Sequence, residues 1–164
     1  MKIYTLTREQ VIHRPLDEVF AFFAKPENLA KITPDTVGFV ILTPTPITMQ
    51  VGAVIDYTIK VFGIRRYWTT LISDYQPPHT FVDVQLKGPY EFWHHTHTFE
   101  ACPEGTIARD TVRYVLPFGR LGRLVHALVV KRQLRQIFDF RSRVIEKVFG
   151  DTGPASRTIA AHDA

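Results

Sequence analysis

The sequence lacks the features that define several common protein classes. Cys102 is its only cysteine, so the chain cannot form an internal disulfide and suits a reducing compartment. No stretch approaches the roughly 18 apolar residues of a membrane-spanning helix, and the start of the chain, MKIYTLTREQ, alternates and carries charge. We therefore expect a cytoplasmic protein that is not integral to a membrane.

Short motifs of the main catalytic and nucleotide-binding classes are also missing. The sequence contains no G-x-S-x-G, no phosphate-binding glycine loop, no H-E-x-x-H and no C-x-x-C. It has no recognisable nucleic-acid-binding module, although its pI near 9.3 would permit contact with an acidic partner. We accordingly predict no cofactor, no bound metal and no nucleic-acid partner.

The sequence does have ample apolar material for one domain. Of its 164 residues 45% are hydrophobic, and it contains twelve Phe, six Tyr and two Trp. A chain of this length buries roughly 70% of its unfolded surface. This aromatic content suits either a packed core or a lined cavity. We predict a single domain over residues 1–150 and a disordered tail over residues 151–164, where the periodic pattern ends.

The longest predicted element is a helix from Arg120 to Phe149. Neither proline nor glycine interrupts Arg123–Phe149, and Gly150 follows as a stop signal. Apolar residues, including Leu134 and Phe138, recur at steps of three and four, as on an amphipathic helix. The polar face is basic and is either an ordinary solvated surface or a site for an acidic partner or membrane. Its basic residues are Arg120, Arg123, Lys131, Arg132, Arg135, Arg141, Arg143 and Lys147.

Upstream of this helix the pattern predicts one strand, two short helices and six further strands. Strands joined by short links are typical of an antiparallel meander, and only the terminal helix is long enough to cover one face of the sheet. We therefore predict an α+β fold with a ligand cavity between sheet and helix. The predicted strands are Ile3–Val11, Val37–Leu42, Ala53–Phe62, Arg65–Tyr75, Thr80–Lys87, Tyr90–Ala101 and Thr106–Leu116. The first short helix is predicted to begin at Pro15 and to stop at Lys25-Pro26, and the second to span Glu27–Ile32.

The densest polar and aromatic stretch runs from Tyr90 to Phe99. If Pro103-Glu104 is a two-residue hairpin loop, residues pair so that their numbers sum to 207. One face of this hairpin then carries Trp93, His95, His97, Phe99, Asp110 and Tyr114, with His97 opposite Asp110, His95 opposite Val112 and Trp93 opposite Tyr114.

The predicted opposition of His97 and Asp110 makes them the candidate catalytic pair. A carboxylate that faces an imidazole fixes its tautomer and raises its pKa, as in a general base. Three other interpretations stay open: a satisfied polar pair without chemistry, a ligand-recognition element, and, with His95, a two-histidine, one-carboxylate metal set.

Further candidates come from the preceding strands. Asp83 and Gln85 share a face, which points either to solvent or into a wet cavity beside the histidines. Tyr57 and Trp68 are expected to face the helix, because such residues combine an apolar body with one polar group. The predicted ligand-binding residues are Tyr57, Trp68, Gln85, Trp93, His95, His97, Phe99, Tyr114, Leu134 and Phe138.

Several stretches of the chain match a known family pattern: Pro15–Phe20, Gly52–Tyr57, Pro77–Asp83, Gly88–Tyr90, Trp93–Phe99 and Asp110–Tyr114 through Pro117 and Gly119. In these stretches the chain resembles the SRPBCC superfamily of START and Bet v 1-like domains, and most closely its polyketide cyclase/dehydrase-like, ligand-binding bacterial members. The resemblance implies a helix-grip fold, in which a seven-stranded antiparallel sheet wraps around the C-terminal helix and encloses an apolar cavity.

Three functional hypotheses follow from the residues and the resemblance. The first is binding of a small hydrophobic molecule, such as a lipid, polyketide or aromatic metabolite. The second is a cofactor-independent cyclase or dehydratase that uses His97 and Asp110. The third is an interaction module that uses the basic face of the C-terminal helix. A homodimer is compatible with each of them.

Overall fold

The computed structural model describes residues 2–117, 119 and 129–150. Within these ranges seven strands form one antiparallel sheet in the order β1-β7-β6-β5-β4-β3-β2. The strands are β1 (Tyr4–Ile12), β2 (Val40–Ile41), β3 (Val54–Val61), β4 (Ile64–Gln76), β5 (Thr80–Lys87), β6 (Phe92–Cys102) and β7 (Gly105–Val115). The helices are α1 (Leu16–Phe23) and α2 (Lys131–Phe149), with 3₁₀ turns at Pro26–Ala30 and Asp35–Val37. This architecture confirms the predicted helix-grip fold.

Two predicted elements upstream of β3 are shorter than expected. The second short helix is a 3₁₀ turn at Pro26–Ala30, and the strand expected over Val37–Leu42 is reduced to Val40–Ile41. The reason for the second difference is local. Asp35–Val37 forms a 3₁₀ turn that ends at Gly38, whose φ of 57° lies in the left-handed region that glycine tolerates.

The register of the β6–β7 hairpin is the predicted one. Cys102 pairs with Gly105 across the two-residue loop, and His97 therefore lies opposite Asp110. The neighbouring pair β5–β6 places Asp83 opposite His95. Consequently β5, β6 and β7 bring two aspartates and two histidines to one face of the sheet.

Helix α2 covers this face through a stripe of buried side chains. The stripe consists of Leu134, Phe138, Arg141, Ile145 and Phe149, at steps of four, three, four and four. The placement of Arg141 on the solvated basic face was therefore wrong, because Arg141 occupies a core position of the helical repeat. The predicted start of this helix, residues 120–128, and the predicted tail, residues 151–164, lie outside the described residues.

The helix lies toward the β1 side of the sheet. Gln10 of β1 donates a hydrogen bond from Nε2 to the backbone oxygen of Ser142 at 3.1 Å, and Arg8 forms an ion pair with Asp139 at 3.4 Å. In the opposite part of the sheet the β4–β5 register shifts between Thr69/Thr70 and between Ile72/Asp74, and such irregularities bend a strand. This arrangement leaves space between β3–β6 and α2. None of the helices in the described ranges is long and apolar enough to cross a membrane.

Candidate functional site

A cavity of about 990 Å³ lies between the sheet and α2. Its volume is at the upper end of the range of roughly 300–1,000 Å³ that is usual for small-molecule sites. Its wall is mostly apolar, with contributions from β3, β4, the first 3₁₀ turn and α2. Seven of the ten predicted ligand-binding residues line it: Tyr57, Trp68, Trp93, His95, His97, Leu134 and Phe138.

Aromatic rings of the wall hold one another in fixed orientations. Tyr57 and Trp68 stack at 5.8 Å between ring centroids, and Trp68 and Trp93 meet edge to face at 5.2 Å. The polar atoms of Tyr57 and Trp68 both contact Thr70. Trp68 Nε1 donates to Thr70 Oγ1 at 3.0 Å, and Tyr57 Oη lies 3.2 Å from the same oxygen. With these polar atoms partnered, the rings present mainly apolar surface to the cavity.

Three predicted ligand-binding residues do not line the cavity. Gln85 folds back on the β5–β6 connection, where its amide donates to the Tyr90 backbone oxygen at 2.8 Å and accepts from the Tyr90 backbone N–H at 3.3 Å. Phe99 is buried in the core cluster that contains Phe20. Tyr114 is buried in the second core cluster with Leu134 and Phe138. All three lie on the expected face of the sheet, but packing and local hydrogen bonds keep them away from the cavity.

Three polar residues of the cavity wall, Asp83, His95 and His97, form a cluster with Asp110. His95 lies between the two carboxylates, with Nδ1 at 3.3 Å from Asp83 Oδ2 and Nε2 at 3.1 Å from Asp110 Oδ1. His97 repeats this arrangement, with Nε2 at 3.0 Å from Asp83 Oδ2 and Nδ1 at 2.7 Å from Asp110 Oδ1. The two imidazole rings lie 3.8 Å apart between centroids. All four ring nitrogens thus face carboxylate oxygens.

The predicted pair of His97 and Asp110 is part of this cluster, but its contact is not a well-formed hydrogen bond. Although His97 Nδ1 is within 2.7 Å of Asp110 Oδ1, its orientation leaves it without a hydrogen-bond partner in the described part of the chain. The hydrogen bond of His97 goes instead from Nε2 to Asp83, and the hydrogen bond to Asp110 comes from His95. Asp83 is therefore as central to the site as Asp110.

Electrostatics keep the cluster charged despite its burial. Burial disfavours the charged form of His95, but the charge of Asp83 and the hydrogen bonds to Asp110 and Asp83 outweigh it and raise the pKa of His95 to about 9. Burial also disfavours the charged forms of Asp83 and Asp110 and by itself would raise their pKa. The neighbouring histidines nevertheless hold the pKa of both carboxyls well below its usual range. At neutral pH His95 is therefore a positively charged imidazolium that lies between two carboxylates.

Arg141 is a cavity-lining residue that sequence reasoning missed. Its Nη1 lies 3.6 Å from Asp110 Oδ2, and its guanidinium lies 4.7 Å from the centre of the Phe138 ring. It also lines the cavity, and its Nε is buried without a hydrogen-bond partner among the described residues. The signal was its spacing from Phe138 and Ile145, which places it on the apolar stripe of α2.

Asp83, His95 and His97 have the composition of a metal-binding set, with Asp83 in place of the predicted Asp110. One donor atom from each of Asp83, His95 and His97 lies within 4.8 Å of the others, which a single ion could reach. Two of the four imidazole nitrogens already form hydrogen bonds to carboxylates, His95 Nε2 to Asp110 and His97 Nε2 to Asp83. We therefore describe the group as a hydrogen-bonded charge cluster.

Asp83 connects this cluster to the cavity. It lines the cavity together with both histidines, and its side chain is 17% exposed. Both imidazoles contact Oδ2 of Asp83, so Oδ1 is the oxygen that can accept a hydrogen bond from a molecule in the cavity. Asp110 lies behind the histidines, where Arg141 contacts it. The arrangement can hold a proton and present one carboxylate oxygen and one guanidinium to a bound molecule.

Comparisons with known proteins agree with this architecture. The family model described as "Polyketide cyclase / dehydrase and lipid transport" matches residues 12–150. A search of curated proteins gave no significant match.

Solved structures share the fold at low sequence identity. Protein CV1439 from Chromobacterium violaceum is similar with a TM-score of 0.67 and 14% identity, covering 89% of this chain and 97% of that one. TTHA0849 from Thermus thermophilus is similar with a TM-score of 0.67 and 14% identity, covering 91% of this chain and 100% of that one. Major latex-like protein 151 from Panax ginseng is similar with a TM-score of 0.66 and 12% identity, covering 90% of this chain and 97% of that one. At these identities the likeness establishes the fold alone.

Proposed function

Because the chain belongs to the polyketide cyclase/dehydrase and lipid transport family of the SRPBCC superfamily, we propose that it binds a small, largely apolar molecule between the sheet and α2. The observation that carries this proposal is the cavity of about 990 Å³ with its mostly apolar wall. Burial of about 300 Å² of apolar ligand surface would contribute roughly 7 kcal/mol before the costs of ordering the ligand. A lipid, a polyketide or an aromatic metabolite has the required surface.

The charge cluster narrows the chemistry of the ligand. A hydroxyl or amino group is the natural partner of Asp83 Oδ1, and a carbonyl or carboxylate is the natural partner of Arg141. Both groups lie on the cavity wall while most of the surrounding wall is apolar. We expect an apolar molecule with one oxygenated end that lies against Asp83 and Arg141.

The two tryptophans of the chain provide a direct assay, because both Trp68 and Trp93 line the cavity. Titration with palmitate, as a linear lipid, and with naringenin, as an aromatic polyketide, should quench or shift their fluorescence in a saturable way. Calorimetry on variants then locates the site. Ile137→Trp places an indole in the cavity and should weaken binding at least tenfold. Val148→Trp, on the exposed side of α2, is the matched control and should bind like the wild type.

A second candidate function, proton transfer without a cofactor, rests on the protonated His95 in the cavity wall. An imidazolium near a ligand oxygen can act as a general acid in the loss of a hydroxyl group or in a cyclisation. Because all ring nitrogens face carboxylates, the proton would leave only when a ligand displaces one of those contacts. Turnover of a compound recovered from the cavity, lost in His95→Asn and in Asp110→Asn, would support this function. Unchanged turnover in both variants would exclude it.

A further inference from the structure

The turn between β3 and β4 carries an unusual residue. Val61 pairs with Ile64, so the loop consists of Phe62 and Gly63, with φ values of 52° and 77°. Turns with positive φ at both positions favour Asn-Gly or Gly-Gly, since a bulky side chain is strained there. Phe62 is nevertheless 60% exposed. An exposed phenylalanine in a strained conformation gains little within its own chain, which points to a contact outside it.

The surroundings of this turn are apolar and cationic. Ile64 is 57% exposed and Tyr67 is 66% exposed. Three exposed cations, Lys60, Arg65 and Arg66, flank them, and no acidic residue occurs between positions 57 and 73. Within the described part of the chain none of these three cations forms an ion pair. The hairpin tip therefore exposes apolar side chains inside a ring of uncompensated positive charge.

The same tip forms the mouth of the cavity. Phe62, Arg65, Arg66 and Tyr67 belong to the cavity lining, as does the exposed Lys87 at the end of β5. At the start of α2, Arg132 borders a shallow groove together with Lys60 and Phe62. We call the set Lys60, Phe62, Ile64, Arg65, Arg66, Tyr67, Lys87 and Arg132 the docking surface.

We propose that the docking surface rests on an anionic lipid bilayer. Phe62 and Ile64 enter the boundary between headgroups and acyl chains, where the amphipathic ring of Tyr67 is also favoured. The five cations of the surface lie against anionic headgroups, and each such cation strengthens binding about fivefold. The cavity mouth then faces the membrane, which gives an apolar molecule a route between bilayer and cavity that avoids water.

Charge and shape favour a bilayer over the other occupants of such a surface. A protruding apolar tip needs a partner into which it can insert, and a fluid bilayer accepts such a tip without a preformed pocket. The charge of the surface is of one sign, so two copies of it would repel each other. An acidic protein would satisfy the cations but would need a matching pocket for Phe62.

The test uses the full chain and vesicles without any added cavity ligand. Sedimentation should show binding to vesicles of phosphatidylcholine mixed with phosphatidylglycerol, and binding at least tenfold weaker to phosphatidylcholine alone. The double variant R65E/R66E should lose at least about 25-fold in binding, because two cations are replaced. R143E/K147E makes the same charge change on exposed residues near the other end of α2 and should bind like the wild type.

A second variant separates docking from folding. Phe62→Asn suits the positive φ of the turn, so its melting temperature should equal or exceed that of the wild type, while its vesicle binding should fall. Equal binding to both kinds of vesicle, no binding, or unchanged binding in Phe62→Asn and R65E/R66E would overturn the proposal. A dimer that R65E/R66E dissociates, without vesicle binding, would assign the surface to a second copy and overturn it as well.

Failure of docking is distinguishable from failure of the proposed cavity function. The cavity-filling variant Ile137→Trp should still bind anionic vesicles, because residue 137 lies in the cavity lining and outside the docking surface. Loss of vesicle binding in this variant would contradict a docking role for the hairpin.

Discussion

The raised pKa of His95 makes the stability of the protein fall as the pH rises above neutrality. The ordinary pKa of histidine is 6.5, and in the folded protein that of His95 is about 9. Between these values the folded state binds a proton that the unfolded state has released. The stabilisation is therefore complete below pH 6.5 and is lost as the pH approaches 9, by about 3 kcal/mol in total.

Groups on every neighbouring element contribute to this shift. Asp83 on β5 and Asp110 on β7 favour the charged imidazole of His95. Arg141 on α2 opposes this effect, because its positive charge partly neutralises Asp110. His97 lies beside His95 on β6 and shares both carboxylates. The pKa of Tyr57 on β3 is raised by burial and by the charge of Asp83, so its hydroxyl stays neutral in this range.

Urea unfolding at several pH values between 6.5 and 9 measures the effect. With a slope of about 2 kcal/mol per molar urea, the midpoint should fall by roughly 1.5 M across this range. His95→Asn should remove most of the pH dependence. His94→Asn is the matched control, because His94 is the adjacent residue on the opposite face of β6, and it should retain the dependence. A stability that stays constant or rises toward pH 9 in the wild type would refute the reasoning, as would an unchanged dependence in His95→Asn.

Two further predictions concern residues whose roles the structure revises. Arg141→Met should destabilise the protein by about 3 kcal/mol at neutral pH, because it leaves the buried Asp110 without its guanidinium partner; denaturant unfolding measures it, and a loss no larger than that of Arg143→Met would contradict the assignment. Gln85→Ala should cost about 2 kcal/mol through its two hydrogen bonds to the backbone of Tyr90 and leave ligand affinity unchanged. Normal stability together with weakened ligand binding in Gln85→Ala would contradict this structural role and would indicate that Gln85 contacts the ligand.

The fold was predictable because the local signals in the sequence agree with one another. Alternation along β6 and β7, together with a two-residue loop at Pro103-Glu104, was enough to set the register that places His97 opposite Asp110. The alternating apolar residues of β3 likewise identified the face that lines the cavity, which includes Tyr57. Where such signals are weak, as around the short β2, the prediction overestimated the strand.

The site was less predictable because it depends on contacts between distant elements. The four-residue connection between β5 and β6 did not determine their register, so Asp83 could not be assigned to solvent or cavity until its position opposite His95 was known. Arg141 was assigned by its charge and not by its position in the helical repeat. Gln85 shows the converse, since the correct face of a strand does not guarantee access to the cavity. The homodimer, the cytoplasmic location and the predicted lack of a cofactor stay predictions.

The central claim is that the cavity between the sheet and α2 holds an apolar molecule. Native mass spectrometry of the purified protein, followed by denaturing extraction, tests it most directly. We predict a stoichiometric apolar adduct that is retained in Val148→Trp and lost in Ile137→Trp. A wild-type protein that carries no adduct, and that is not stabilised by any member of a broad panel of lipids and aromatic polyketides, would contradict it.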